Sequence, residues 1–363
     1  MKILIAGGGT GGHLYPGVAL AEEIVTRQQG NHVLFVGTRR GIEARVVPPL
    51  GYPIEYIEVA GLKGSGLLGW LRGLIRIPAA LLQSLRIIRK FNPDIAVGVG
   101  GYASGPVILA AWLVGLPTAV LEQNTVPGLT NRVLSRFASA VYVMFEGAIR
   151  HFPRRKTHAL GNPIRRALLE NFLHSKIAED SRFHVLVLGG SQGAHTINLR
   201  MAEAAKQLAE VKDDLKVVHQ TGANDLEMVE NAYREWGVDA EVVEFIDDMS
   251  DAYKHADLVV CRAGATTLAE IMVAKKASIL IPYPHAAENH QELNARAMVE
   301  AGASKMLVER ELDGIRLADE ILDIYRNRER VVQMEQAASR TGRPEAAREI
   351  VDACVELIER SKR

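Results

Sequence analysis

Short apolar runs alternate with segments of helical period along the whole chain. In the first half the runs are Lys2–Ala6, His32–Val36, Ile95–Val99, Thr118–Leu121 and Ala140–Val143. In the second half they are His184–Leu188, Lys216–Gln220, Glu241–Phe245, Leu258–Cys261, Ser278–Pro282 and Ser304–Leu307. Such runs read as buried strands, and helical patterns between them, such as PGVALAEEI over Pro16–Ile24, predict parallel sheets covered by helices. Glycine and proline interrupt the alternation at Gly161–Arg165 (GNPIR) and again at Gly342–Pro344. A chain of 363 residues has room for two domains. The expected fold is α/β with two Rossmann-like domains over residues 1–163 and 164–344. A last helix within 345–363 is expected to pack back onto the first domain.

Two strand ends empty into glycine-rich turns followed by helical spacing: MKILIAGGGTGGH at Met1–His13 and FHVLVLGGSQGAH at Phe183–His195. Glycines permit positive φ and bring backbone N–H groups close to a ligand, and a helix start favours an anion. Two such junctions predict a phosphate-bearing ligand. Gly7–Gly12 satisfies G-x-G-x-x-G, which alone is a weak sign of a dinucleotide. The second run ends Val36-Gly37-Thr38-Arg39-Arg40 and lacks the acid that would hold an NAD ribose. Its arginines leave an NADP-dependent oxidoreductase open as an alternative. No lysine follows either turn in the way a P-loop requires.

Residues 95–121 carry no charge, but seven Gly or Pro residues interrupt them, so a strand, helix and strand is expected rather than a membrane span. Residues 59–93 lack Asp and Glu and hold Lys63, Arg72, Arg76, Arg86, Arg89 and Lys90. Among them lie Leu67, Leu68, Trp70, Leu71, Leu74 and Ile75, a pattern suited to an anionic membrane surface. An ordinary amphipathic helix pair with a solvated face is the plainer alternative. The net charge of zero conceals a split that favours the membrane reading. Residues 1–165 hold 18 Lys/Arg against 8 Asp/Glu, and the remainder holds 25 against 35. Two cysteines, Cys261 and Cys354, offer neither a disulfide framework nor metal spacing and suit a reducing cytosol. The apolar start is too short for a secretory signal. No metal site and no cofactor are expected.

His13 ends the first turn, where an imidazole can orient a substrate or take a proton. Glu122-Gln123-Asn124 follows a strand end, where open α/β sheets bind ligands. Arg262–Glu270 (RAGATTLAE) joins another strand to a helix, with Glu270 placed to accept ribose hydroxyls. The amide-rich HAAENHQELN at His285–Asn294 suits sugar hydroxyls.

The segments GGGTGGHLYPG, GGYASGP, EQNTVPGLTNR, GNPIR, GGSQGA, FIDDM, CRAGATTLAE and HQELNA stand in an order spanning nearly the full chain. In this the sequence resembles the bacterial peptidoglycan lipid-precursor N-acetylglucosaminyltransferases. The resemblance implies a GT-B glycosyltransferase with two parallel sheets facing across a cleft, peripheral to the cytoplasmic face of the cell membrane. It implies UDP-N-acetylglucosamine as donor and undecaprenyl-diphospho-N-acetylmuramoyl-pentapeptide as acceptor, with no nucleic-acid partner. By motif, Thr10, Gly11 and Gly12 would contact the donor, and Asn124 the sugar. Arg165 and Ser191 would hold the nucleotide, and Ile246 would meet uracil through its backbone. Ala265, Thr266, Thr267, Leu268, Ala269 and Glu270 would line the diphosphate and ribose, and Gln291 the donor sugar. His13 is the expected base, with Glu122 as fallback, and Leu67, Leu68, Trp70, Leu71, Arg72, Leu74, Ile75 and Arg76 form the membrane patch. The alternatives are the NADP oxidoreductase and a non-catalytic UDP-sugar binder.

Overall fold

The computed structural model describes residues 1–59, 66–174, 180–190 and 193–363, with backbone alone for 66–77, 171, 173 and 174. The chain forms two compact units, Met1–Arg166 with Pro344–Arg363, and Ala167–Arg343. Among the described residues the first unit holds seven strands: β1 (Lys2–Gly7), β2 (His32–Gly37), β3 (Ile54–Tyr56), β4 (Ile95–Gly100), β5 (Thr118–Glu122), β6 (Ala140–Val143) and β7 (Thr157–Ala159). They pair in parallel in the order β3-β2-β1-β4-β5-β6-β7. The second unit holds β8 (Phe183–Leu188), β9 (Leu215–Gln220), β10 (Ala240–Val243), β11 (Leu258–Cys261), β12 (Ala277–Leu280) and β13 (Ser304–Met306). Their order is β10-β9-β8-β11-β12-β13, again parallel.

Both sheets are doubly wound. The strand order reverses between β1 and β4 in one unit and between β8 and β11 in the other. Ligands of such sheets bind outside the carboxyl ends of the strands at that reversal. All four strands at the two reversals end in glycine-containing turns: Gly8 and Gly9, Gly101, Gly189 and Gly190, and Gly264. The sequence pattern placed eleven of these strands to within a residue or two. It missed β3 and β7, three-residue strands at opposite edges of the first sheet.

The uncharged stretch 95–121 resolves into β4, the helix Ser104–Leu113 and β5. The tail helix Ala346–Lys362 belongs to the first unit because Ala347, Ile350, Val351, Cys354 and Ile358 recur at helical spacing. They bury against Ile3, Ile5, Val33, Ile95 and the helix Gly11–Arg27. A buried aliphatic side chain contributes about 1.5–3 kcal/mol, so this stripe fixes the tail. Arg27 ties its edge, donating to Asp352 at 2.6 Å and to the Arg348 carbonyl at 2.7 Å.

Candidate active site

At the reversal of the first sheet, β1 and β4 end side by side and their turns pack tightly. The Gly8 N–H donates to the Gly100 carbonyl at 3.3 Å. Gly101 takes φ +81°, and a Cβ there would strike the Gly8 carbonyl, so the approach requires glycine. Ser104 bridges the two strand ends from within its helix. Its hydroxyl donates to the Ala6 carbonyl at 2.7 Å and accepts the Gly100 N–H at 3.0 Å.

Thr10 is the N-cap of the helix Gly11–Arg27, which carries Gly11, Gly12 and His13 in its first turn. The Thr10 hydroxyl lies 3.2 Å from His13 Nδ1. The imidazole lies against Gly100, where an added Cβ would sit 2.5 Å from His13 Cδ2.

The first turn departs from expectation in one respect. The Gly9 N–H, which a dinucleotide phosphate would seek, donates to Glu43 Oε2 at 2.7 Å. A carboxylate of the protein thus occupies that donor. A ligand phosphate at this turn would have to be met by other N–H groups.

Two strands further along, Glu122 closes β5 and is 3% exposed. Asn124 donates to Glu122 Oε1 through its backbone at 3.0 Å and its side chain at 3.1 Å, and Asn131 Nδ2 donates to Oε2 at 2.8 Å. Burial pushes the Glu122 carboxyl above the usual carboxylate range, against these hydrogen bonds and one from the Gly128 backbone. Both oxygens are committed to amides. Glu122 thereby shapes the Asn124 turn. Arg165 lies in the first unit, its guanidinium 4.9 Å from the Tyr15 ring centroid.

In the second unit, the turn after β8 carries Gly190 and Gly193 at φ +78° and +77°. Gln220, at the end of β9, donates to the Gly190 carbonyl at 2.8 Å and accepts the Ile246 N–H at 2.9 Å. The Ile246 N–H is thereby engaged within the protein. Asp248 caps the next helix, Met249–His255, accepting from the Ser250 and Asp251 N–H groups at 3.1 and 3.0 Å. Hydrogen bonds led by the Ser250 hydroxyl hold its carboxyl below the usual range.

After β11, Gly264 caps the helix Ala265–Ala274, whose first turn contains no acid. The positive end of this helix is therefore not offset by a carboxylate of its own first turn. Ala265, Thr266, Thr267, Leu268 and Ala269 form its opening turns, and the Glu270 carboxylate accepts from the Tyr253 hydroxyl at 3.1 Å. Gln291 is the second residue of the helix His290–Glu300 and accepts the Tyr283 N–H at 3.0 Å. Just before it, Glu288 and Asn289 both take positive φ, +54° and +55°, which side-chain-bearing residues seldom do in succession. Ser191 and the side chains of Leu67, Leu68, Trp70, Leu71, Arg72, Leu74, Ile75 and Arg76 lie outside the described residues. Their helix, Gly66–Phe91, is present as backbone there. No group of three or more His, Cys, Asp or Glu among the described residues is arranged to hold a metal ion.

Sequence reasoning overlooked Glu43, Gln220, Ser104 and Asn131. Ser104 and Asn131 lie in the motif segments GGYASGP and EQNTVPGLTNR, and Gln220 closes the strand LKVVHQ, but nothing local marked the contacts they make.

Two doubly wound parallel units, with helix starts and polar side chains gathered at the carboxyl ends of their strands, fit a two-domain glycosyltransferase. The models for the Glycosyltransferase family 28 N-terminal and C-terminal domains match residues 3–143 and 184–350. The chain is 58% identical over 358 residues to a Myxococcus xanthus (strain DK1622) protein, covering 99% of this chain and 93% of that protein. It is also 58% identical over 360 residues to one from Anaeromyxobacter sp. (strain Fw109-5), covering 99% and 94%. Both relatives are named UDP-N-acetylglucosamine--N-acetylmuramyl-(pentapeptide) pyrophosphoryl-undecaprenol N-acetylglucosamine transferase. The crystal structure of Acinetobacter baumannii MurG aligns with a TM-score of 0.80 at 30% identity, covering 97% of this chain and 98% of that one. The chain belongs to glycosyltransferase family 28, within the group that carries this transferase name. The oxidoreductase and the non-catalytic binder give way to this relationship.

Proposed function

We propose that the chain transfers N-acetylglucosamine from UDP-N-acetylglucosamine to the C4 hydroxyl of undecaprenyl-diphospho-N-acetylmuramoyl-pentapeptide, with inversion at the sugar's anomeric carbon. The observation that carries this reading is the full-length relationship at 58% identity to proteins named for that transfer.

In this reading the helix start at Ala265 faces the diphosphate, and Glu270, oriented by Tyr253, accepts the ribose hydroxyls. The Ile246 carbonyl accepts from uracil. Asn124, oriented by Glu122, and Gln291 bind the sugar, while Thr10, Gly11 and Gly12 touch the donor and Arg165 and Ser191 hold the nucleotide. His13 takes the proton. With Nδ1–H donating to the Thr10 hydroxyl, Nε2 accepts the acceptor's C4–OH proton as that oxygen bonds to C1. The bond from C1 to the diphosphate oxygen breaks, and UDP departs with its new charge met by N–H groups of the helix start.

The reading also places the first unit at the cytoplasmic membrane surface. No helix among the described residues is long and apolar enough to cross a membrane. A surface contact is supported by Leu82, Trp112, Leu113 and Val114, each at least 43% exposed, and by exposed Arg86, Arg89 and Lys90 on the helix Gly66–Phe91.

The test is transfer of radiolabel from UDP-N-acetylglucosamine into a short-chain lipid acceptor by the purified chain and by His13→Ala. The wild type is expected to label the lipid. His13→Ala, folded as judged by circular dichroism, is expected to lose about 100-fold or more in kcat. Near-normal turnover by the variant contradicts the base assignment, and an unlabelled lipid with the wild type contradicts the function.

A further inference from the structure

We propose that Glu43 is a positioning residue for this transfer: it holds the first glycine turn in the shape that presents Thr10 and His13. The proposal rests on the transferase reading above.

Glu43 is 1% exposed although it lies in a short surface segment between β2 and β3. Its Oε2 accepts the Gly9 N–H at 2.7 Å. Its Oε1 accepts the Thr38 N–H at 2.8 Å and the Thr38 hydroxyl at 3.0 Å. The Thr38 oxygen accepts the Gly41 N–H in turn, at 3.1 Å. Every partner of the carboxylate is a donor. The pocket around it exists because three neighbouring positions are glycine. A Cβ at Gly8, Gly37 or Gly41 would run into the Glu43 side chain.

The contact passes directly into the candidate site. Gly9, at φ +86°, is the residue before Thr10, and Thr10 both caps the helix and meets His13 Nδ1. Fixing the Gly9 N–H therefore fixes where the helix begins and where the imidazole stands.

Glutamine cannot replace this group. It has one acceptor oxygen, and its amide nitrogen would face either Gly9 N–H or Thr38 N–H, donor against donor. The experiment compares the full-length wild type with Glu43→Gln and Glu43→Ala, all checked by thermal melting. Glu43→Gln is expected to lower kcat by about 10- to 100-fold, as a misplaced catalytic group does, with KM for UDP-N-acetylglucosamine within about twofold. Sodium acetate is expected to raise kcat of Glu43→Ala and to leave the wild type unchanged. Amide exchange at Gly9 and Thr38 is expected to quicken in Glu43→Gln. A wild-type kcat in Glu43→Gln overturns the proposal. So does joint loss of kcat and donor binding with no response to acetate, which marks a scaffold role alone. If the wild type transfers no sugar, the transferase reading fails. Exchange at Gly9 then still decides whether Glu43 holds the turn, and an unchanged rate overturns that.

Discussion

His219 sits at the end of β9 with no exposed surface, and its tautomer follows from its neighbours. Asn198 Nδ2 donates to the Thr221 carbonyl at 2.8 Å and to Asp225 Oδ2 at 2.7 Å. Asn198 Oδ1 therefore faces His219 Nε2, 3.1 Å away, as an acceptor, and Nε2 carries the proton. Nδ1 accepts from the Tyr233 hydroxyl at 3.1 Å. Burial lowers the imidazole pKa to about 3. Between the ordinary value near 6.5 and this one, the unfolded chain binds a proton that the folded chain refuses. Stability from this group is present above pH 6.5 and is lost as pH falls, by about 1.4 kcal/mol per unit. Thermal melts between pH 7.5 and 5 are expected to show a steeper loss for the wild type than for His219→Gln, and equal slopes contradict this. The sequence marked the strand here but not this histidine, because its partners Asn198 and Tyr233 come from two separate helices. Glu43 was hidden for the same reason. Gly9 lies 34 positions away, and no local spacing announces the pair.

Among the elements, strands buried on both faces were legible because four to six apolar residues between turn signals leave few other readings. The short edge strands IEY and THA were not, since three residues with only Thr157 buried carry no apolar period, whereas the equally short SKM was read as part of the longer run Ser304–Leu307. The glycine turns were legible as turns, but their chemistry was not. Only the structure separates the turn after β1, which holds a carboxylate, from the helix start after β11, which has no acid in its first turn. The helices Gly66–Phe91 and Ser104–Leu113 pack on each other, and the second ends in the exposed Trp112 and Leu113. On the membrane reading, both side chains enter the lipid interface. Each is only about half exposed, so burying the remainder is worth roughly half of the 1.5–3 kcal/mol of a full burial, and 1.4 kcal/mol is tenfold in affinity. Trp112→Glu with Leu113→Glu is therefore expected to cut partition onto phosphatidylglycerol vesicles at least about tenfold. Wild-type binding is expected to weaken with salt. Undiminished binding by the double variant contradicts this placement of the membrane face.

At the scale of the molecule, the two units share one plan, a parallel sheet wound in both directions from a central reversal, with polar groups at the strand ends. Sequence periodicity carried that plan, and the order of short motifs carried the family. The charge division, 18 Lys/Arg against 8 Asp/Glu in residues 1–165, agrees with a first unit turned toward an anionic surface. The central claim is single displacement at the anomeric carbon onto the C4 hydroxyl. The most direct measurement is a proton NMR spectrum of the disaccharide released from the lipid product after the chain has acted on UDP-N-acetylglucosamine and the acceptor. The account predicts one new β-configured N-acetylglucosamine linked to C4 of the muramoyl sugar. An α linkage, a linkage to another hydroxyl, or free N-acetylglucosamine with no disaccharide would contradict it.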